Sequence, residues 1–316
     1  MFCEAKHGNI AFYISRIYAT LYKMEIPKEV CECAFYLNRK VCSSADVIEK
    51  LKNVLRTQFN IQISNNSSAA TVLEKAKSAT NCDTESCILT HPVIVDAIGK
   101  NDIDNVMKHN FKPAGPALDY TALLNNFNID QVLDQLAIAN PEFYHIQFQM
   151  IDFAEQAKYI DAGASNMYMP IGNPRDANLA TIDMTKKYRE GFKCFGVVLN
   201  TDFSSGPGKH WFSIFIDLRS DAKPHTIEYF NSSGNMPMIQ VSTWLADASI
   251  KLSKLGEVEV VRVTTERLQD DDYSCGIWAL YYILSRLNKI PWRVFRNGSM
   301  NDSMMYEFRK HFFRHH

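Results

Sequence analysis

The stretch from Gln269 to Leu287, reading QDDDYSCGIWALYYILSRL, constrains this chain more than any other. An acidic, polar segment changes abruptly at Cys275-Gly276 into an apolar run in which Ile277, Leu280, Tyr281, Leu284 and Leu287 recur at helical spacing. Trp278 and Ile283 widen that stripe until almost no face is left for water, so the run predicts a central, buried helix. Ser274 has the chemistry of its N-cap. Cys275 then falls in the first turn, where free backbone N–H groups and the positive end of the helix dipole stabilise a thiolate. Gly276 beside it removes a side chain that would obstruct an approaching backbone. Cys275 is therefore a candidate nucleophile, although a lone cysteine in an apolar run is more often simple core, and its partners elsewhere must decide.

The 316 residues, 46% of them hydrophobic and 12% aromatic, suffice for a catalytic-size domain plus something smaller. A formal charge of −1 gives no sign of a nucleic-acid or anionic-membrane surface, local patches aside, so the expected partner is protein and no nucleic acid. No apolar run is long enough to span a bilayer, and MFCEAKHGN lacks the features of a signal peptide. Cys3, Cys31, Cys33, Cys42, Cys82, Cys87, Cys194 and Cys275 form no CxxC pair, so neither a zinc site nor a disulfide framework is expected. A reducing cytosol fits that pattern, and no cofactor is expected. Without an export signal, the glycosylation sequons at Asn66, Asn231 and Asn297 read as coincidental.

Residues 1–110 read as a helical arm. Helices are predicted over Ile10–Lys23, after Ser44 and after Ser68, with a short pair over His91–Gly99 and Asp102–His109 and a loop at Cys82–Cys87. His7 and His91 read as surface residues. Two prolines and a glycine in Phe111–Ala117 mark a boundary, which leaves 118–316 as a core domain. There the pattern alternates: a helix capped by Asn128, a strand over Phe143–Phe153, and a long loop over Gly163–Ala180 that could border a substrate cleft. A helix follows over Thr181–Arg189, then strands over Lys193–Asn200, His210–Leu218 and Thr226–Phe230, the first two joined by a flexible loop. Next come a helix over Val241–Leu255, a strand over Glu257–Thr265, the helix after Cys275 and a last helix over Ser303–Phe313. Helices and strands that alternate without strict pairing predict an α+β fold around a mixed sheet.

Four residues now fit one chemistry. His210, at the start of a strand, can take the proton of the Cys275 thiol to give an imidazolium–thiolate pair. Asn231, at the end of the next strand, can hold that ring in one tautomer. Gln269 can donate its amide, with the Cys275 backbone N–H, to an oxyanion. Trp211 either walls the site or packs in the core. Asp270, Asp271 and Asp272 either favour a basic substrate or solvate the loop, and solvation is the favoured reading.

His210-Trp211 opening a strand, EYFNSSG containing Asn231, and Gln269 six positions before Cys275-Gly276 resemble the signature of adenain and SUMO-protease-like cysteine peptidases, clan CE. The order His, Asn, Gln, Cys excludes papain-like enzymes, where the nucleophile precedes the histidine. KHWFSIFIDLRSD, IEYFNSSGN, SCGIWALYYI and MYEFRKHFFR resemble in particular the African swine fever virus-type polyprotein-processing proteases, over much of 120–314. That resemblance implies a mixed-sheet peptidase core, cleavage of a structural polyprotein after Gly-Gly during virion assembly, and action at host cytoplasmic assembly sites and in the virion. A narrow approach past Trp211 and Tyr273 agrees with glycine before the cut. The same residues serve enzymes that remove ubiquitin-like proteins, so the motif does not separate the two substrates. A non-enzymatic assembly scaffold is the third possibility, and the intact set of four argues against it.

Overall fold

The computed structural model describes residues 32–37, 40–116, 121–161, 174–296 and 300–314. The chain divides into two compact units, Met1–Asp119 with Arg309–His316, and Tyr120–Phe308. The last residues, which the sequence places with the core, thus belong to the first unit. There the Phe313 ring fills the space over Gly115, where a Cβ would come within 2.6 Å, and the backbone N–H of Arg314 donates to the Pro113 carbonyl at 3.0 Å.

In the first unit, α1 (Ala45–Thr57) and α2 (Ala69–Thr80) begin at the predicted caps, with the Ser44 and Ser68 hydroxyls accepting from the N–H of Val47 and Thr71. Short helices α3 (Glu85–Thr90), α4 (Pro92–Ile98) and α5 (Lys100–Asn110) follow among the described residues. The helix expected over Ile10–Lys23 lies outside the described residues. Cys33–Cys42 and Cys82–Cys87 are disulfides with Cα–Cα distances of 4.9 and 5.6 Å, which corrects the expectation of none. Left-handed Asn81, φ 55°, turns the chain after α2 and returns Cys82 to α3, and spacing alone does not encode that turn.

The second unit is a six-stranded mixed sheet. Strands β1 (Phe143–His145), β2 (Gln149–Met150), β3 (Cys194–Asn200), β4 (Trp211–Asp217), β5 (His225–Phe230) and β6 (Val258–Arg262) lie in the order β1-β3-β4-β5-β6, with β2 also on β3. The β3–β4 and β4–β5 pairs are antiparallel; β1, β2 and β6 pair in parallel. Every residue of β3 and β5 is buried; β3 reads as a nearly continuous apolar run rather than as alternation, while β5 also buries His225, Thr226 and Glu228. Helix α9 (Ile239–Leu252) contributes Val241, Leu245, Ala248 and Leu252 to the core with Ile214, Ile216 and Ile227. The helix after Cys275, α10 (Cys275–Leu287), is buried along its whole length, as its sequence demands.

Three elements depart from expectation. The strand over 143–153 breaks into β1 and β2 because Asp130 takes the Phe148 N–H at 2.9 Å and the His145 Nε2 at 3.1 Å; Phe153 already starts α7 (Phe153–Asp161). Asn128 is not the cap of α6 (Asn126–Ala139): Asn125 is, and Asn128 answers it as the far side of a capping box. The loop 201–209 is tied down, with Asn200 Oδ1 accepting from the N–H of Asp202 and Lys209, and Asp202 accepting from Phe203 N–H, Gly208 N–H and Lys209 Nζ. α8 (Met184–Arg189) precedes β3, and α11 (Asp302–Phe312) ends the helical series. Of the loop over Gly163–Ala180, residues 163–173 lie outside the described set and Pro174–Ala177 forms a 3-10 turn. No described helix is long and apolar enough to cross a membrane.

The C-terminal end of α10 is pinned by charge. Arg286 donates to both oxygens of Glu228 on β5 at 2.7 and 2.9 Å, while Arg219, paired to Asp217, donates to the Arg286 carbonyl at 2.9 Å. Fully paired buried ions of this kind fix one arrangement, because breaking a pair strands a charge. With that end held, the N-terminal end presents Cys275.

Candidate active site

His210 directly precedes β4 and Asn231 directly follows β5, and the antiparallel pairing of these strands, with Ser213 opposite Phe230, brings both to one end of the sheet. His210 Nε2 lies 2.7 Å from Asn231 Oδ1. That oxygen also accepts from the Ser233 N–H at 3.0 Å and the Ser233 hydroxyl at 2.8 Å, and Asn231 Nδ2 donates to the Tyr229 hydroxyl at 2.9 Å. Because a backbone N–H can only donate, it fixes which amide atom is oxygen, and hence that Nε2 carries the imidazole proton. Nδ1 is then the basic nitrogen.

Cys275 opens α10 and is 3% exposed. Its thiol meets the backbone N–H of Trp211, the residue after His210, and those of Gly276 and Cys275 itself. Burial pushes the thiol pKa up; the Trp211 and Gly276 N–H groups pull it back, and the Asp271 carboxylate adds to the rise. Burial likewise holds His210 below the ordinary imidazole value, only partly opposed by the bond to Asn231. Both directions work against the imidazolium–thiolate pair suggested by the sequence. An amide at position 231 gives the ring orientation without the negative charge that would stabilise an imidazolium.

Gln269 is buried in the loop before α10. Its Oε1 accepts from the Ser232 hydroxyl at 2.7 Å, and its Nε2 donates to Asp271 O at 2.9 Å and Asp271 Oδ1 at 3.1 Å. Ser274 is not the side-chain cap: its hydroxyl donates to Asp271 Oδ1 at 2.8 Å, and Asp271 Oδ1 accepts the N–H groups of Tyr273 and Ser274. Asp302 at the start of α11 accepts the N–H groups of Asp270 and Asp271, both at 2.8 Å, and the Trp278 indole N–H at 2.8 Å. Of the acidic run, then, Asp270 and Asp272 are exposed, while Asp271 organises the nucleophile loop.

The three cleft candidates separate. Trp211 is half-buried; its indole N–H donates to the Leu124 carbonyl at 3.0 Å and its ring meets Phe148 edge-on at 6.3 Å. Gly276 does not face open space: a Cβ there would come within 3.0 Å of the Leu124 side chain, so the glycine admits this chain's own leucine. Tyr273 lies against Tyr306 of α11, ring centroids 6.0 Å apart and hydroxyls 3.0 Å apart. Sequence reasoning missed Leu124, Asp271 and Asp302. Asp271, followed at the third position by Ser274, carried a capping signal that Ser274 obscured. Asp302 reaches Asp271 from 31 positions away and has no local signal.

Residues 183–315 match the Ulp1 protease family, C-terminal catalytic domain. The chain is 33% identical over 295 residues to a cysteine protease of African swine fever virus (isolate Tick/Malawi/Lil 20-1/1983), covering 92% of this chain and 97% of that protein. The same identity and coverage relate it to a SUMO-1 cysteine protease of African swine fever virus (isolate Tick/South Africa/Pretoriuskop Pr4/1996). The crystal structure of an African swine fever virus protease superposes with a TM-score of 0.70 at 30% identity, covering 93% of this chain and 99% of that one. Similarity at this level over both units, and not over the core alone, means that the chain belongs to the family of the African swine fever virus cysteine proteases, with the Ulp1-type catalytic domain matched over residues 183–315.

Proposed function

We propose that this protease processes a viral structural polyprotein at Gly-Gly-Xaa sites during virion assembly, acting at host cytoplasmic assembly sites and in the particle. The observation that carries the substrate reading is the placement of the nucleophile. Cys275 is 3% exposed, between the Trp211 strand end and a helix start packed on Leu124. A substrate residue with a Cβ clashes on the approach to such a thiol, whereas glycine brings its carbonyl close. Similarity to viral proteases over nearly their full length supports a viral setting.

The chemistry follows from the atoms. As Cys275 Sγ attacks the glycyl carbonyl, His210 Nδ1 takes the thiol proton, and the Nε2–H bond to Asn231 keeps the ring aimed. The oxyanion accepts from the Cys275 N–H and the Gln269 amide. The imidazolium returns the proton to the leaving amine, and water then hydrolyses the thioester.

The test is incubation of the purified chain, with Cys275→Ala as control, with a library of Gly-Gly-Xaa peptides and with a SUMO precursor. Peptides cut after Gly-Gly are expected, and alanine in place of the glycine before the scissile bond should lower kcat/KM at least about 100-fold, roughly 2.7 kcal/mol. A comparable rate on the alanine peptide would overturn the narrow-cleft reading. One relative is named as a SUMO-1 protease, so removal of a ubiquitin-like protein is the second reading. Cleavage of the SUMO precursor with the peptides left intact would favour it.

A further inference from the structure

We propose that Asp271 is a positioning residue for oxyanion stabilisation, setting the Gln269 amide in place and leaving the Cys275 backbone N–H unspent. The inference rests on the roles assigned above to Cys275 and Gln269.

One oxygen of this carboxylate gathers four donors: Gln269 Nε2 at 3.1 Å, Tyr273 N–H at 3.0 Å, Ser274 N–H at 2.8 Å and the Ser274 hydroxyl at 2.8 Å. The other accepts from the Tyr306 hydroxyl at 2.9 Å. A side chain that accepts the N–H groups two and three positions ahead of it is performing N-cap chemistry. Here the cap acts before the helix proper, because Ser274 already has helical dihedrals, φ −89° and ψ 0°. The N–H groups of Tyr273 and Ser274 are consumed, and the next in line, those of Cys275 and Gly276, fall in the first turn of α10, where the helix itself supplies no acceptor.

The same residue fixes the second donor. Gln269 Oε1 is held by the Ser232 hydroxyl and one amide proton by Asp271 O, which together set the plane of the amide. The remaining proton goes to Asp271 Oδ1 over the longer distance of 3.1 Å, to an oxygen already accepting from three other groups. That weaker bond is the one an oxyanion exchanges. Because the plane of the amide is already set, attack requires the exchange of this one bond and no movement of the side chain, which is where such groups gain their effect.

The experiment is steady-state kinetics of the full chain on a Gly-Gly peptide, comparing Gln269→Ala, Asp271→Ala, Asp271→Asn and the double variant Gln269→Ala/Asp271→Ala. Asp271→Ala should lower kcat at least about 30-fold with KM within about 3-fold, because the interaction it sets is made in the transition state. The double variant should be no slower than the slower single one, since both act through the same amide. Asp271→Asn keeps an acceptor oxygen and should retain kcat within about 5-fold. Alkylation of Cys275 by iodoacetamide, which develops no oxyanion, should not be slowed. Multiplicative losses in the double variant, an Asp271→Asn as slow as the alanine, or alkylation lost in step with turnover would each overturn the proposal. Should Asp271→Ala fail to fold, Asp271→Ser retains a capping hydroxyl but cannot reach Gln269, and the same coupling is expected of it. If Gln269→Ala itself turns over like wild type, the reading of the site fails first. If only the Asp271 variants do, this inference alone falls.

Discussion

Asn231 Oδ1 accepts a hydrogen bond from His210 Nε2–H across 2.7 Å while its own amide is held by Ser233 and Tyr229, so the ring is oriented by a residue that cannot itself turn. Orientation is all that Asn231 supplies, because it brings no charge.

Cys275→Ala and His210→Ala should abolish hydrolysis, since in the proposed mechanism one removes the nucleophile and the other its base. Both side chains lie at the ends of elements rather than in their middles, so the far-ultraviolet circular dichroism should match wild type. Substantial turnover by either variant would sink the assignment.

Asn231→Asp should remain active with a shifted pH profile. Burial keeps His210 below the ordinary imidazole value, so in wild type the acid limb of kcat/KM, where the base becomes protonated, should lie below about pH 6.5. A carboxylate at position 231 stabilises the imidazolium and should move that limb upward. Asn231→Ala should lose more activity through a misoriented ring. An acid limb that stays in place in Asn231→Asp would show that His210 is not the titrating base.

Asp302→Ala should destabilise the nucleophile loop. It strands the indole N–H of the fully buried Trp278, and a buried donor without a partner costs about 1–3 kcal/mol, while the exposed Asp270 N–H can turn to water. The shift in the urea midpoint measures the loss. A change below about 0.5 kcal/mol would show that water replaces the carboxylate at no cost.

Much of this site was legible because its parts sit where sequence patterns are strongest. The helix after Cys275 has an uninterrupted apolar signature, and His210 and Asn231 fall at strand ends, where the pattern changes. What the sequence did not show are contacts made across distance or by backbone turns. Leu124 fills the space over Gly276, Asp302 reaches back to Trp278, and the left-handed Asn81 closes the Cys82–Cys87 disulfide. The strand over 143–153 failed for a related reason: its alternation was real, but Asp130 on α6 took the Phe148 N–H that pairing with β3 would have used. The buried Arg286–Glu228 pair was equally hidden, because charges in an apolar pattern read as surface until their partners are placed.

Gly276→Ala sets two local effects against each other. In an ordinary helix alanine is favoured over glycine by about 1 kcal/mol. Here the new Cβ would stand 3.0, 3.1 and 3.2 Å from three atoms of the Leu124 side chain, tighter than ordinary contact. Leu124 cannot easily retreat: its carbonyl accepts the Trp211 indole N–H at 3.0 Å, and Asn125 beside it caps α6. Overpacking against a held neighbour costs about 1–3 kcal/mol, so the variant should be destabilised despite its better helix propensity. Displacing Leu124 also shifts Trp211, whose backbone N–H meets the thiol, so kcat/KM should fall as well. Adding Leu124→Ala to Gly276→Ala should restore part of the activity relative to Gly276→Ala alone, because it removes the clash. A Gly276→Ala variant with a higher melting temperature and unchanged kcat/KM would show that Leu124 yields freely and does not form a rigid wall beside Cys275.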